Sequence, residues 1–454
     1  MVVVSARWTM INGPQTVQMK SVSGGFCRAR KPCVLQNTKP WQMISMSAST
    51  LVMLTDRYPF GVGELPFVEP ELRALLDHFD VVVVPANTRG EINPACDRTI
   101  LSRIRVATGH AAWKRSEQIR YGCKAALSPL LRRDLSGCSA PQIREAWGYL
   151  ARALYMQEVV SSLGLFGHPD NTVFYSFWLN SSALGLALQK EIDPSIKILT
   201  RTNGYDLYNF RAASGRQPFR QYLRESVDKV LFSSQVGLDY FRDTFGPETS
   251  KGQYRLARLG CHDHVAPPRT SEQKFTVMSC SNVIPLKRVY LLAEAISLID
   301  DRSIRWVHAG DGPELDVIRA FAEKESLDAS FLGQVTNTEL MDYYRLNPVD
   351  LFATMSSSEG GCPVSVTEAL SFSIPILASS AGGGVVEQVN DSNGILLGEN
   401  PDPCEIAAAL TLFMEMGEGG RTSMGRASHE MWAMRFDVRK TTSHVVEIAQ
   451  SLLS

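Results

Sequence analysis

The chain has 454 residues, 44% of them hydrophobic and 20% charged, and a formal net charge of −1 from 46 Lys and Arg against 47 Asp and Glu. That length exceeds a single hydrophobic core and predicts two self-supporting domains, while the near-zero charge gives no reason to invoke nucleic acid as a partner. The nine cysteines carry no CxxC pairing or histidine spacing, which supports neither a zinc site nor a disulfide framework, and no apolar run reaches the roughly 20 residues of a membrane span.

Residues 1–55 contain no Asp or Glu but carry Arg7, Lys20, Arg28, Arg30, Lys31 and Lys39. Without a sustained apolar period they predict no packed element. Residues 1–45 read as a disordered leader or an over-long start, with Met43 or Met46 just ahead of the first strand, Thr50–Leu54. An organelle transit peptide is the alternative, although no amphipathic helix accompanies it. The loop Gly61 to Gly63, a helix over Glu69–Phe79 and the strand Val81–Val84 complete a βαβ opening. That loop suits either close approach of a phosphate or acceptor, or a tight structural turn. Residues 101–134 hold eight Lys or Arg against two acids among Trp113, Ile119, Tyr121 and Leu127. Such a stretch fits a solvated helix face, or a helix lying on an anionic membrane surface. A helix over 141–163 leads to strands at Thr172–Trp178 and Ile196–Thr200. The polar cluster Arg201-Thr202-Asn203-Gly204-Tyr205-Asp206 then sits just past a strand's carboxyl end, where open α/β sheets bind ligands. Asp206 there suits either a functional carboxylate or a turn cap. Val230–Ser234 and a helix from Gln235 close the first half.

Ala266–Glu272 is a polar, proline-containing break, and the βαβ rhythm restarts after it. Phe275–Cys280 is a strand whose loop, Ser281 to Arg288, opens the helix Val289–Ile299. His308 falls at the end of the next strand and reads as a sheet residue. Gly310-Asp311-Gly312-Pro313 turns into a helix, and Phe331–Val335 is a short strand and loop. The most informative stretch follows, Ser356-Ser357-Ser358-Glu359-Gly360-Gly361-Cys362-Pro363-Val364-Ser365-Val366-Thr367-Glu368-Ala369-Leu370. It lies between the strand-length runs Val349–Thr354 and Ile374–Ala378, so it belongs to a βαβ crossover. Pro363 suits a first helical turn. The glycines allow close approach of a ligand, and the free amides of a helix N-terminus favour anionic or hydroxyl-rich groups. Gly382-Gly383-Gly384 forms a second glycine loop, and helices run from Pro401 and from Arg426 to the end. No GxGxxG follows the first strand of either half, which argues against a dinucleotide-dependent oxidoreductase.

The bracketed glutamates resemble the donor-site signature of family-4 retaining glycosyltransferases, of the group 1, bacterial polysaccharide-biosynthesis type. The resemblance implies an α/β architecture of the GT-B kind, two Rossmann-like parallel-sheet domains facing across a cleft. The expected divisions are an acceptor-side domain over 46–267, a nucleotide-sugar domain over 273–436, and a C-terminal helix over 437–454 crossing back to the first domain. It implies catalytic roles for Glu359, Lys287, Asp206 and Asn203. A donor site follows from Ser281, Asn282, Lys287, Gly310, Gly333, Gln334, Val335, Glu359, Gly360, Gly361, Cys362, Pro363 and Glu368, with Lys287 on the diphosphate and Glu368 on the ribose hydroxyls. An acceptor side follows from Gly61, Gly63, Glu64, Arg201, Tyr175 and Trp178, with Glu69 beside it.

The implied partners are a nucleotide sugar and a sugar or lipid-linked glycan acceptor; no metal or cofactor is required. The expected location is cytoplasmic, peripheral on the inner membrane face. Three departures stand out. Eight residues separate Glu359 from Glu368 where the family has seven, Asn203 stands for a His, and Asn282 stands for a phosphate-binding Arg. An amide replaces a guanidinium fork only in part. These departures motivate the alternative, a catalytically weakened sugar-nucleotide-binding protein.

Overall fold

The computed structural model describes residues 49–454 apart from residues 62, 109–112, 136, 268–273, 301–302 and 382, together with the strand Val34–Leu35. The rest of the expected leader, most of the Ala266–Glu272 break and Gly382 therefore lie outside the described residues.

Two parallel sheets organise the chain. The first has eight strands: β1 (Val34–Leu35), β2 (Thr50–Thr55), β3 (Asp80–Pro85), β4 (Arg105–Ala107), β5 (Thr172–Ser176), β6 (Lys197–Thr202), β7 (Lys229–Phe232) and β8 (Tyr254–Leu256), in the order β1-β4-β3-β2-β5-β6-β7-β8. The second has six: β9 (Phe275–Cys280), β10 (Ile304–Ala309), β11 (Ala329–Gly333), β12 (Leu351–Thr354), β13 (Ile376–Ser379) and β14 (Gly394–Leu397), in the order β11-β10-β9-β12-β13-β14. This is the GT-B architecture. Continuous apolar runs such as Val81–Val84 are buried on both faces, as a helix-covered parallel sheet requires. β4 and β8 are only three residues long and each contains an Arg, so neither makes an apolar run that sequence could flag. β1 pairs in parallel with β4, which places one strand inside the expected leader.

The first helix spans Leu65–Leu75 and not Glu69–Phe79. Pro66 sits in its first turn, where no backbone donor is needed. Glu64, just before it, holds the preceding loop in place by its carboxylate. At the other end of the chain, Asp437 caps the helix Val438–Gln450. That helix buries Val445, Val446, Ile448 and Ala449 in one cluster with Val68, Leu72 and Leu75 of the first domain. Each buried Val or Ile contributes about 1.5–3 kcal/mol by removal from water, so the C-terminal helix fastens the two domains.

Candidate functional site

Setting aside the edge strand β1, the strand order reverses between β2 and β5 in the first sheet and between β9 and β12 in the second. Crevices at the carboxyl ends of strands at such reversals are the ligand sites of open α/β sheets. Here the two crevices face each other.

In the second domain, the loop after β9 docks on the loop after β12: the Ser357 N–H donates to Leu286 O at 2.8 Å. Docking brings Lys287 Nζ to 2.6 Å from Glu359 Oε1. Ser281, Asn282, Gly310, Gln334, Val335 and Glu368 line one cleft with about 660 Å³ of open space, over which Pro66 and Phe67 of the first domain project. Gly333 adjoins it, its carbonyl accepting from the Gly310 N–H at 2.8 Å. Glu368 is 5% exposed and has one side-chain partner, Asn337 Nδ2 at 2.6 Å. Burial pushes its carboxyl up to about 7, against that hydrogen bond. Asn337 was not singled out from sequence, because nothing local to a helix start points to a carboxylate 31 residues on.

Other expected residues have structural duties. Cys362 turns into the core, and the Pro363 carbonyl accepts from Gln388 Nε2 at 3.1 Å. The Gly360–Gly361 turn packs against the first domain. A Cβ on Gly204 would stand 2.5 Å from Gly360 Cα, and one on Gly361 would overlap the Ser233 hydroxyl. The domains thus meet backbone to backbone, and the eight residues between the two glutamates are loop as far as Pro363. A second tie lies nearby: Glu387 accepts from Arg258 at 2.5 Å and from the Val236 N–H at 3.1 Å. Arg288 does not substitute for a guanidinium at Asn282. Its side chain is turned onto the carbonyls of Met355, Ser356 and Glu399. His308 lies in the sheet, hydrogen-bonded to Ser279 at 2.8 Å, and burial lowers it to about 4.

In the first domain the expected acceptor residues require correction. Arg201 and Tyr175 are fully buried. Arg201 pairs with Glu71 and donates to Ala257 O at 2.6 Å, and the Tyr175 hydroxyl donates to Glu71 at 2.7 Å. A buried guanidinium must be neutralised and hydrogen-bonded, and this network leaves neither residue surface for an acceptor. Glu64 accepts from the Asp56, Arg57 and Tyr58 amides at 3.0, 2.6 and 2.7 Å and from Trp178 Nε1 at 2.6 Å. Four donors saturate its four lone-pair sites. Glu69 accepts from the Asp97 N–H at 2.8 Å. Gly61 packs over Arg57, and Gly63 is exposed with open space around it.

Asp206 is also a structural group. It is 2% exposed and accepts from the Leu179 and Asn203 amides, both at 2.7 Å. Burial raises it to about 6, with those bonds and Arg220 opposing. Asn203 differs: its side-chain Nδ2 is buried without a hydrogen-bond partner among the described residues, next to the Gly204–Gly360 contact. A buried unpaired donor costs about 1–3 kcal/mol, which a ligand hydroxyl would offset.

The basic residues of the stretch 101–134 lie at the surface, and some of them pair with acids of their own domain. Arg103 pairs with Asp77 at 2.8 Å, and Arg120 and Lys124 with Glu158 at 2.7 and 2.9 Å. Trp113 stacks on Tyr121, and Tyr155 packs tilted or edge-on against both. None of the described helices is long and apolar enough to cross a membrane.

Residues 263–431 match the family described as glycosyl transferases group 1. That match covers less than half of the chain, and the chain as a whole has the two-domain GT-B fold. Among sequence relatives, the O-antigen biosynthesis glycosyltransferase WbnH of Escherichia coli is 31% identical over 163 residues, 36% of this chain and 44% of that protein. WbiN of the same organism, described as a probable O-antigen biosynthesis glycosyltransferase, matches over the same shares. The match thus spans less than half the length of these relatives. Among solved structures, HepE of Anabaena in complex with UDP superposes with a TM-score of 0.61 at 15% identity, covering 88% of this chain and 100% of that one. The lipopolysaccharide outer core galactosyltransferase WaaB reaches 0.64 at 11% identity, covering 88% and 99%. At these identities the likeness speaks for the fold alone.

Proposed function

We propose that the protein is a retaining glycosyltransferase of family 4 that moves a sugar from a nucleotide diphosphate sugar to an acceptor hydroxyl, in surface polysaccharide or lipid-linked glycan assembly. The observation that carries this reading is the interdomain cleft lined by the buried Glu368 and by Ser281 and Asn282, whose loop runs on to Lys287, paired with Glu359 at 2.6 Å. The described UDP complex of a protein with the same fold, and the O-antigen role of the relatives, support it.

In this mechanism Glu368 accepts the ribose hydroxyls, which is work for a charged carboxylate. Lys287 neutralises the departing diphosphate and so carries the cationic role, while Glu359 and the Asn203 amide flank the sugar as positive charge develops on it. Preorganised charge in a site shielded from water is the main source of rate. Pro66 and Phe67 above and the glycine seam beside the cleft keep water from the sugar. We place the reaction in the cytoplasm, at a membrane face where the acceptor is lipid-linked.

Binding and slow hydrolysis of a panel of sugar nucleotides by the full chain test the proposal. Hydrolysis of one donor, lost in Lys287→Ala and Glu368→Ala, is the expected result; no binding to any donor would overturn it. A second reading, a sugar-nucleotide-binding protein with weakened catalysis, is favoured by the exposed Asn282 amide and the engagement of Arg288 elsewhere. Donor binding without turnover, persisting with every acceptor tried, would select it.

A further inference from the structure

The reversal point of the first sheet holds a polar group unused so far. Asp56 follows the carboxyl end of β2, and Asn180 follows β5 across the same crevice. The Asp56 Oδ1 accepts from Asn180 Nδ2 at 2.8 Å and its Oδ2 from the Tyr205 hydroxyl at 3.4 Å. Unlike Glu64, whose lone pairs are all engaged, Asp56 has one side-chain donor on each oxygen and keeps a lone pair on each.

Tyr205 is anchored by that hydroxyl, yet its residue is 43% exposed. Its ring stands at 5.1 Å from the ring of Trp178, edge-on, with Phe67 at 6.5 Å beyond. Phe67 also lines the donor cleft, and Gly204, the neighbour of Tyr205, touches Gly360 next to Glu359. Hence the Asp56 crevice opens beside the donor pocket. The unpartnered Asn203 amide lies on the same short segment.

We infer that Asp56, Asn180 and the exposed face of Tyr205 form the acceptor subsite, and that the acceptor ends in a pyranose ring with free hydroxyls. The inference rests on the proposed transferase function and specifies its second substrate. A sugar ring has one apolar C–H face and a rim of hydroxyls. An aromatic plane beside a carboxylate with spare lone pairs matches both. A phosphate headgroup, by contrast, would meet the negative charges of Asp56 and the nearby Glu64, which the weaker influence of Arg152 offsets only in part. Burial and the nearby Glu64 raise the Asp56 carboxyl to about 6, so at neutral pH it is an acceptor for hydroxyl protons. Its pairing with Asn180 fixes its orientation before substrate arrives.

The test uses the full chain and two kinds of probe. Nucleoside diphosphates (UDP, ADP and GDP) report the donor site. Methyl glycosides of glucose, galactose, N-acetylglucosamine and rhamnose, followed by ligand-observed NMR with the tightest-binding nucleotide present, report the acceptor site. At least one methyl glycoside should bind the wild type. In Asp56→Asn and Tyr205→Ala its affinity should fall at least tenfold, while the nucleotide dissociation constant stays within twofold. Tyr205→Phe, which keeps the ring, should lose less than Tyr205→Ala. Retained nucleotide binding together with an unchanged melting temperature shows that the variants fold. Nucleotide binding with no binding of any pyranoside, or pyranoside binding unchanged in Asp56→Asn, would overturn the inference. Absence of nucleotide binding in the wild type would overturn the proposed function itself.

Discussion

Replacing Glu368 with glutamine separates stability from function at the donor site. The carboxyl is 5% exposed with one side-chain hydrogen bond, and burial raises it from 4.5 to about 7. At about 1.4 kcal/mol per pH unit, holding it ionised above pH 7 costs the folded state up to about 3 kcal/mol. The sign follows from proton counting: between pH 4.5 and about 7 the folded state holds a proton that the unfolded state has released. The stability contribution of this group is therefore greatest below pH 4.5 and is lost as pH rises through 7. Glutamine carries no charge to desolvate and still accepts from Asn337. Glu368→Gln should raise the melting temperature at pH 8 by several degrees, since about 1 kcal/mol moves a domain of this size by about 2–4 °C. The gain should vanish near pH 5. Nucleotide affinity at pH 8 should fall about tenfold, because ribose hydroxyls lose a charged acceptor worth about 1.5 kcal/mol or more. Scanning calorimetry and nucleotide titration at pH 5 and pH 8 measure both effects. A variant less stable than wild type at pH 8, or with unaltered affinity, would refute the reasoning.

Three further outcomes are expected. Wild-type nucleotide affinity should decline as pH drops from 8 to 6, as Glu368 takes up its proton; isothermal titration in buffers of different ionisation heats should detect proton release on binding. Gly204→Ala puts a methyl 2.5 Å from Gly360 Cα, so the domains must part; donor hydrolysis should fall at least tenfold with each domain still folded, and full activity would show that the seam is not needed. Asp206→Asn leaves one of two buried amides without an acceptor and should lower unfolding free energy in urea by about 1–3 kcal/mol. Loss of turnover at unchanged stability would instead return Asp206 to the catalytic group.

Legibility varied along the chain with the range of the interactions. Strand β9 matches its expected limits and a helix begins at Gln235 as expected, because an apolar run or an amphipathic stripe is a local signal. The pairing of Lys287 with Glu359 spans 72 residues; only the resemblance put both in one site. The errors cluster in the first domain, where Glu64, Arg201 and Tyr175 carry residue types that bind sugars as readily as they neutralise one another. Their true partners, Trp178 for Glu64 and Glu71 for Arg201, lie 114 and 130 residues away. Asp56 escaped notice for the converse reason: an isolated aspartate after a strand shows no pattern until Asn180 and Tyr205 are folded against it.

The sequence by itself determined the two-domain α/β organisation, since alternating apolar runs and helical stripes leave parallel sheets as the way to bury both faces of each strand. It also placed Lys287 in the loop after β9, and Glu359 in the loop after β12 just ahead of the helix that carries Glu368. Only the tertiary structure decided which polar groups are spent on the protein itself. A carboxylate or guanidinium becomes available to a substrate when packing leaves it lone pairs or donors, and that count depends on residues more than a hundred positions distant. It filled Glu64 and Arg201, gave Gly360 and Gly361 to the domain seam, and left Asp56 and the Asn203 amide open.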